Sequence, residues 1–392
     1  MSMLNGSPAT APLPRIGSEA LIARIEAANL QGRGGAGFPV AKKWRTVREN
    51  GGGRAVMVAN GAEGEPLSGK DRTLMARQPQ LVIDGALHAA RFVGAQEIVF
   101  YVGSEHRAAL SAMRRALGER REHEVQRARL VEAPTGYVCG EESAVVHYLN
   151  DGDARPTVTP PRPFERGVGG RPTLVQNVES LAWAALIARG EAIPGALVTA
   201  SGSVRRPGVY ELPMDATPAD VADAAGGLSS DTGAVLIGGY FGRWASLQEV
   251  WPLTLQPSSL RARGLTFGCG VLHFLPADSC PVHATAGIMK YLAGQSARQC
   301  GPCVFGLEAI AGATSRLAQR SPQVEDLLRI ERWSGELNGR GACKHPDGAA
   351  GLLQSALQVF ADDFEAHQHR RCVLRPSIKH DQRVAEPVEA VA

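Results

Sequence analysis

Short apolar runs alternate with amphipathic stretches along the first half of the chain. The runs at residues 55–59 and 97–102 are β-prone and predict buried strands, and residues 129–132 predict a short third strand. The stretches predicted to be helical are residues 17–30, 79–94, 105–121 and 177–189. Because strands and helices alternate at this spacing, the pattern predicts an α/β domain with a parallel sheet. Residues 151–172 are rich in Pro, Arg and Gly and predict a long loop.

The pattern changes near residue 194. A hairpin is predicted over residues 196–212, with Pro207 and Gly208 in its turn. A short helix at 217–225 and a strand at 234–237 follow, which together indicate a small β-rich domain. From about residue 285 the pattern is helical, and the segment after Pro376 resembles a loose, charged tail.

Composition narrows the possible classes of protein. The 392 residues are 44% apolar and carry a net charge of only +3, which argues against a disordered chain and against nucleic-acid binding. No apolar run reaches the roughly 18–20 residues of a membrane span, and the first fifteen residues lack the apolar core of a secretory signal. We therefore expect a cytoplasmic protein without membrane insertion. An odd count of seven cysteines makes a disulfide scaffold improbable and leaves thiols for metal or redox chemistry.

A glycine-rich loop is the first candidate site. Gly32, Gly34 and Gly37 match the spacing of a dinucleotide-binding fingerprint, but the motif follows a predicted helix, whereas the ordinary fingerprint follows a strand. The sequence therefore predicts an atypical loop whose bare backbone lets a flat or phosphorylated ligand approach. A tight packing loop is the alternative.

Two further polar glycine turns lie at predicted strand–helix junctions. Residues 60–66 (Asn-Gly-Ala-Glu-Gly-Glu-Pro) follow the first strand, and residues 137–142 (Tyr-Val-Cys-Gly-Glu-Glu) precede a helix. Ligands of parallel sheets bind beyond the carboxyl ends of the strands. Carboxylates at a helix start are also ordinary caps, so one such turn alone indicates little.

These motifs together resemble a known family. The matching segments are residues 32–39 with Lys43 and Trp44, 60–66 with 70–72, 137–142, 170–173 with 177–179, 201–208, and Cys300-Gly-Pro-Cys303 with Cys343. In this order they resemble the FMN-carrying, NADH-oxidising subunit of respiratory complex I and of NAD-linked hydrogenases and formate dehydrogenases.

The resemblance implies an architecture, cofactors and a partner. It implies an atypical Rossmann-like FMN domain at residues 1–192, a small ubiquitin-like, SLBB-type β-grasp domain at 193–272, a helical domain at 273–376 that holds a [4Fe-4S] cluster, and a loose tail at 377–392. Hydride would pass from NAD(P)H to FMN, and single electrons would then leave through the cluster to a ferredoxin-like iron–sulfur partner.

The resemblance also assigns site residues. Those implied at FMN are Gly32, Gly34, Lys43, Asn60, Glu63, Tyr137, Gly140, Glu141 and Asn177. Those implied at the nicotinamide nucleotide are Gly35, Phe38, Glu65 and Glu142, of which the two glutamates are the candidates for a catalytic role. A lysine and backbone amides suit phosphate, and Phe38 offers an aromatic face to a flat ring. Hydride transfer itself needs no general base.

Several positions depart from the family pattern around the flavin and the nucleotide. Ala62 replaces an Asp, which removes a polar contact worth about 1–3 kcal/mol. Gln176 replaces an Asn, and Thr46 replaces an aromatic residue expected against adenine. Arg162, in the proline-rich loop, could stack on adenine or pair with a 2′-phosphate, or it could indicate that no nucleotide binds.

The cluster motif departs furthest. Ala297 stands at the first ligand of the family's Cys-x-x-Cys-x-x-Cys pattern, so Cys300, Cys303 and Cys343 remain. Three interpretations are open. A cluster persists with a further ligand such as His345, a structural zinc binds the three cysteines and His345, or the site is empty.

The remaining candidates are interpreted as structural. Cys139, Cys269, Cys280 and Cys372 are predicted to be inert thiols, with a replacement ligand from Cys280 and His283 a minor alternative. His367 and His369 are expected to be solvated. The leading hypothesis is an NAD(P)H-oxidising flavoprotein subunit, and the alternative is a non-catalytic paralogue that keeps the scaffold.

Overall fold

The computed structural model of the chain describes residues 3–4, 13–191 and 195–372. Within these residues the chain divides into two compact units. The first comprises residues up to 64, 69–197 and 211–213, and the second comprises 65–68, 198–210 and the chain from 214 onward. The predicted tail at 377–392 lies outside the described residues. The predicted three-domain division stays a prediction.

The first unit contains four strands and eight helices among its described residues. The strands are β1 (Ala55–Gly61), β2 (Ala95–Gly103), β3 (Ala128–Ala133) and β4 (Thr173–Asn177). The helices are α1 (Ser18–Ala27), α2 (Val40–Gly51), α3 (Lys70–Arg77), α4 (Pro79–Val93), α5 (Arg107–Gly118), α6 (Glu122–Val125), α7 (Glu142–Asp151) and α8 (Val178–Arg189). A single 3₁₀ turn, Val168–Gly170, interrupts the long loop.

The sheet of the first unit is parallel, with the strand order β3-β2-β1-β4. This confirms the predicted α/β class. Valines of β1 and β2 pack with Tyr101 and Val145 into a fully buried cluster. Burial on both faces explains why β1 is an unbroken apolar run rather than an alternating one.

Strand β4 was not among the predicted strands. Its sequence, Thr-Leu-Val-Gln-Asn, is short and follows the Pro-rich loop directly, so the loop signal concealed it. It pairs with β1 along its whole length, and Asn60 lies opposite Asn177 at the carboxyl ends of the two strands. The missed strand therefore carries one of the predicted site residues to the edge where ligands bind in parallel sheets.

The second unit contains a sheet and a helical region. Its strands are β5 (Ala196–Gly202), β6 (Gly208–Leu212), β7 (Thr232–Ile237), β8 (Arg243–Ser246) and β9 (Val271–Pro276). Three short helices accompany the sheet: α9 (Pro218–Ala224), α10 (Leu247–Val250) and α11 (Pro257–Arg261). The helical region holds α12 (Pro281–Gly294), α13 (Glu308–Ala318), α14 (Asp326–Leu337), α15 (His345–Val359) and α16 (Ala361–Gln368).

The sheet of the second unit is mixed, with the order β6-β5-β9-β7-β8. Strands β5 and β9 are parallel, whereas β7 is antiparallel to both β8 and β9. The predicted hairpin strands β5 and β6 are neighbours. A mixed five-stranded sheet with a capped short helix is the arrangement that the β-grasp prediction requires. Strand β9 runs across the bound predicted at residue 272.

Helices α12 to α16 confirm the predicted helical region. They bury Leu292, Ile310, Leu352 and Phe364 completely. A π-helical turn, Pro302–Leu307, leads into α13 and contains Cys303. Such turns are rare and occur frequently at functional sites. Among the described residues, no helix is both long and apolar enough to cross a bilayer.

Candidate functional site

The glycine loop lies between helices α1 and α2; the helix before it was predicted, whereas α2 was not. Gly32 N donates to Phe38 O at 2.9 Å and closes the base of the loop. Gly35 adopts φ +106°, a conformation that favours glycine, and a methyl group there would meet nothing within 4 Å. Gly34 lies against the side chain of Asn177, since a Cβ at position 34 would stand 3.3 Å from its Cβ. The loop therefore presents bare backbone beside open space.

Arg33 fixes the loop from inside the unit. Its side chain is 3% exposed and donates to Gly195 O at 2.6 Å, while its backbone N donates to Ser180 Oγ at 2.9 Å. Its Nε lies 3.7 Å from the Glu179 carboxylate. The sequence gives no signal for this anchor, because the partners of Arg33 lie about 150 residues away along the chain.

A buried group of charges supports the same edge of the sheet. Lys70 Nζ lies 2.6 Å from Asp71 Oδ1 and 3.0 Å from Glu179 Oε2, and all three side chains are less than one-tenth exposed. Burial raises the pKa of Asp71 to about 7, although Lys70 opposes that shift. Burial alone would lower the pKa of Lys70, but the neighbouring carboxylates outweigh it and raise that pKa. Charges buried this deeply are costly unless paired.

Asn60 and Asn177 link the turns at the ends of β1 and β4. Asn60 Nδ2 donates to Gly140 O at 2.9 Å, which joins the second and third predicted turns. Asn177 Nδ2 donates to Asp71 Oδ2 at 2.7 Å, and its Oδ1 accepts from Glu179 N at 3.0 Å to cap α8. The structure thus brings the three glycine turns together at one edge of the sheet.

The turn at residues 137–142 packs closely on the second turn. A methyl group on Gly140 would stand 2.6 Å from Ala62 O, and one on Gly64 would stand 2.7 Å from Tyr137 O. Glu141 accepts from Ser143 N at 2.9 Å and Ala144 N at 3.0 Å, so it is the cap of α7. This confirms the capping interpretation for one of the two paired glutamates.

Lys43 and Glu142 form a partly exposed ion pair at the site. Lys43 Nζ lies 2.5 Å from Glu142 Oε2, and the two side chains are 23% and 34% exposed. Phe38 is 46% exposed, with Lys42 Nζ 5.8 Å from its ring centre. An exposed aromatic ring and an accessible ion pair beside a bare loop are groups that a ligand can contact.

Glu63 and Glu65 are buried and bonded to backbone. Glu63 accepts from Asp71 N at 3.0 Å and Arg72 N at 3.2 Å at the start of α3. Glu65 belongs to the second unit, where its Oε2 accepts from Tyr240 N at 2.8 Å. Both carboxylates hold backbone in place. Their predicted contacts to FMN and nucleotide remain predictions.

The three departures that retain polar groups have local partners. Gln176 Oε1 accepts from the buried Trp44 Nε1 at 3.2 Å, so the longer amide serves the core. Thr46 Oγ1 donates to Lys42 O at 3.0 Å on the surface of α2. Arg162 N donates to Glu165 Oε2 at 2.7 Å, and its side chain is exposed.

The three predicted cluster cysteines lie near one another in the second unit. Cys303 is buried in the π-helical turn, and its N donates to Cys300 O at 3.1 Å. Burial, with the neighbouring thiols of Cys300 and Cys343, raises the pKa of the Cys303 thiol to about 12. Protonated buried thiols of this kind give up their protons when a metal binds.

His345, the candidate further ligand, is engaged elsewhere. Its Nε2 lies 2.8 Å from Leu292 O, and its ring packs edge-on against Phe241. Burial lowers its pKa, although the carbonyl bond opposes that shift. The bond to Leu292 O occupies Nε2, so a metal at His345 would have to bind Nδ1.

The expectation that His367 is solvated is wrong. His367 is 1% exposed, and its Nε2 lies 3.4 Å from Cys280 Sγ. With Cys372 these side chains form a group whose ligand atoms all lie within 4.8 Å of one another. The pair Cys280 and His283 was recognised as a minor ligand candidate, whereas the spacing His-x₄-Cys at 367–372, which completes the group, was missed.

Comparison with known families finds two matches. Residues 25–185 match the family described as the Nuo51 FMN-binding domain. Residues 283–367 match the NADH-ubiquinone oxidoreductase-F iron-sulfur binding region. The first match covers all three glycine turns, and the second covers Cys300, Cys303 and Cys343.

Similar proteins span nearly the whole chain. The second NADH-quinone oxidoreductase F subunit of Rhizobium meliloti (strain 1021) is 31% identical over 378 residues, covering 90% of each chain. The NADH-quinone oxidoreductase F subunit of Aquifex aeolicus (strain VF5) is 27% identical, covering 91% of this chain and 88% of its own. A solved NAD⁺-reducing [NiFe]-hydrogenase in the H₂-reduced state is similar with a TM-score of 0.82 and 28% identity. The match covers 93% of this chain and 65% of the hydrogenase chain.

Proposed function

Because this chain belongs to the family of NADH-quinone oxidoreductase F subunits, we propose that it oxidises a nicotinamide nucleotide with bound FMN. The electrons then pass singly to an iron–sulfur partner. The observation that carries the proposal is the convergence of the three glycine turns at the carboxyl ends of β1 and β4, through Asn60, Gly140 and Asn177.

The residues present suit FMN. Gly35 holds the backbone in a conformation that a side chain would strain, and the space around it is open. Gly140 lets the backbone at Ala62 approach closely, which a Cβ would prevent. Lys43 supplies a cation for phosphate, and Asn60 and Asn177 supply amides at the same edge. Ala62 lacks the carboxylate of the family pattern. We therefore expect FMN to bind, with a binding free energy that is about 1–3 kcal/mol less favourable.

Bound FMN would accept a hydride and release electrons one at a time, and the chain's own residues would bind and orient the reactants. Lys43 would hold the phosphate, and Glu142 would keep the lysine side chain in place through their ion pair. Phe38 would pack against a flat ring of the nucleotide, with Glu142 near it. The buried pair of Lys70 and Asp71 would keep Asn177 oriented through Asp71 Oδ2.

Cys300, Cys303 and Cys343 would hold a [4Fe-4S] cluster with three thiolates. Three thiols grouped in one region suit such a cluster, and Ala297 leaves its fourth iron for a non-cysteine ligand. His345 would supply that ligand through Nδ1, because its Nε2 bonds to Leu292 O. The alternative is a zinc ion on the same three thiols. Measuring iron and zinc per chain distinguishes it from the cluster.

The partner would be a small ferredoxin-like iron–sulfur protein, and the setting would be cytoplasmic. Phe305 lies two residues after Cys303 and is 74% exposed, which provides an apolar surface beside the thiols. The exposed Arg162 is compatible with either NADH or NADPH.

Anaerobic reduction tests the proposal. The full chain is reconstituted with FMN, and its flavin absorbance is followed while NADH or NADPH is added. We expect one of the two nucleotides to bleach the flavin. A protein that binds no FMN, or whose bound FMN neither nucleotide reduces, would instead be the non-catalytic paralogue.

A further inference from the structure

A second group of metal-type ligands lies apart from the predicted cluster motif. Cys280 Sγ, a ring nitrogen of His367 and Cys372 Sγ all lie within 4.8 Å of one another. Two ligands of one zinc ion stand at most about 4.6 Å apart, because each lies about 2.0–2.3 Å from the metal. The distance from Cys280 Sγ to His367 Nε2, 3.4 Å, is typical of neighbouring ligands on one tetrahedral ion.

The imidazole of His367 is oriented as metal-bound histidines are. Its Nδ1 lies 2.8 Å from Leu317 O, and a carbonyl can only accept. The proton therefore resides on Nδ1, and the lone pair of Nε2 faces Cys280. A backbone carbonyl that fixes the tautomer of a ligating histidine is the usual outer contact of a metal site.

From this geometry we propose that Cys280, His367 and Cys372 bind one zinc ion. Two thiols and one imidazole without a carboxylate are soft and borderline donors, which select zinc over magnesium or calcium. A single ion fits between donors this close, whereas a four-iron cluster needs ligands spread around a larger cage. Both thiols release their protons to solvent when the ion binds.

The site joins the two ends of the helical region. Cys280 is the residue before α12, and Cys372 follows α16, whose last turn contains His367. His283 lies one helical turn beyond Cys280, with its ring centre 5.9 Å from that of His367. A metal there would clamp the first helix of the region to the last, and the fourth position would fall to His283 or to water.

Two explanations that need no metal also account for the short distances between Cys280, His367 and Cys372. The buried thiol of Cys280, whose pKa burial raises to about 12, can donate to His367 without any metal. Cys280 and Cys372 could also form a disulfide. Either would leave the protein without zinc at this place, so elemental analysis separates them from the proposal.

Zinc content of the full chain is the primary test. The protein is purified anaerobically, loaded with zinc, dialysed, and its zinc per chain is measured for the wild type and for Cys372→Ser. Cys372 lies outside the helices, after the end of α16, so its replacement by Ser leaves the helix packing in place. The matched controls are His369→Ala, two residues from His367, and the double variant Cys300→Ser/Cys303→Ser.

We expect Cys372→Ser to lose about one zinc per chain, and a second variant, His367→Gln, to lose the same. Both control variants should retain that zinc. The proposal is overturned if Cys372→Ser keeps its zinc, if only Cys300→Ser/Cys303→Ser loses it, or if mass spectrometry finds a Cys280–Cys372 disulfide in the anaerobic protein.

Cobalt substitution gives a spectroscopic readout of the ligands themselves. Co²⁺ bound by thiolates shows intense charge-transfer absorption that aqueous Co²⁺ lacks. Adding Co²⁺ to the wild type should produce this band, and Cys372→Ser should lose most of it, because a site that no longer retains zinc binds Co²⁺ more weakly still. An unchanged band in Cys372→Ser would place the cobalt elsewhere and contradict the proposal.

Discussion

The glycine-turn edge of the first unit and the cysteine regions of the second unit differ in how their polar groups are satisfied. At the glycine-turn edge, Lys70, Asp71 and Glu179 pair with one another inside the protein. In the second unit, the thiols of Cys300 and Cys343 lie close enough to Cys303 to raise the pKa of its thiol. The buried charges of the first unit are paired with one another, whereas the grouped thiols of the second unit would release their protons to a bound metal. We expect a preorganised flavin site in the first unit and metal sites that form on loading in the second.

Removing Glu179 should have the largest effect. Glu179→Gln leaves Lys70 buried without one of its two carboxylates, and breaking a buried pair costs about 3–5 kcal/mol. The matched control is Glu26→Gln, whose exposed pair with Arg45 should contribute about 1 kcal/mol or less. The free energy of the urea transition of the first unit measures both. Equal losses for the two variants would show that the buried charges do not stabilise this edge.

Replacing Lys43 should come next. Lys43→Met removes the cation expected at the FMN phosphate, and a bond to a charged group is worth about 1.5–3 kcal/mol, or about 10–100-fold in affinity. Lys42→Met is the control, because Lys42 lies by Phe38 instead. FMN titration by fluorescence quenching measures both. If Lys43→Met binds FMN as tightly as Lys42→Met does, the phosphate is held elsewhere.

Straining the glycine loop should lower the affinity for FMN, by less than the replacement of Lys43 does. Gly35→Ala forces a side chain into φ +106°, which costs about 1–3 kcal/mol and should lower FMN affinity about tenfold. Gly118→Ala lies at the end of α5 with open space around it and should be neutral or slightly stabilising. FMN titration and thermal unfolding distinguish the two. Wild-type affinity in Gly35→Ala would mean that the ligand does not use this loop.

Restoring the missing thiol at position 297 should have the smallest effect of the four substitutions. It tests whether the cysteine region of the second unit holds iron. Ala297→Cys supplies the first ligand of the family pattern, so iron should be lost several-fold more slowly in air. Ala297→Ser, of similar size but without a thiolate, is the control. Iron content is measured at intervals after exposure to air. Equal iron loss from both variants would indicate that position 297 does not face the cluster.

The sequence predicted the fold where burial follows local patterning. Strands β1 and β2 and helices α4 and α8 contain long apolar runs, and each was predicted near its observed bounds, as was the more polar strand β3. Strand β4 was missed because its five residues end in polar amides and follow a proline-rich loop. Its existence depends on pairing with β1, which no local pattern shows.

The glycine turns of the candidate site were predicted from the sequence, whereas the charged residues that hold these turns in place were not. The turns carry recognisable motifs, whereas Arg33 and Glu179 meet only after folding, from positions far apart in the chain. Burial of His367 likewise follows from the packing of α16, and its charged sequence surroundings indicated the opposite. Long-range pairing of charges and thiols is therefore the part that residue patterns did not provide.

One measurement tests the contrast between the two regions most directly. FMN, iron and zinc are counted per chain in a single anaerobically purified sample of the full protein. We expect about one FMN, about four iron atoms and about one zinc, with zinc lost in Cys372→Ser while FMN is retained. A sample without FMN, after reconstitution as well as before, would contradict the preorganised flavin site and with it the proposed oxidation of a nicotinamide nucleotide.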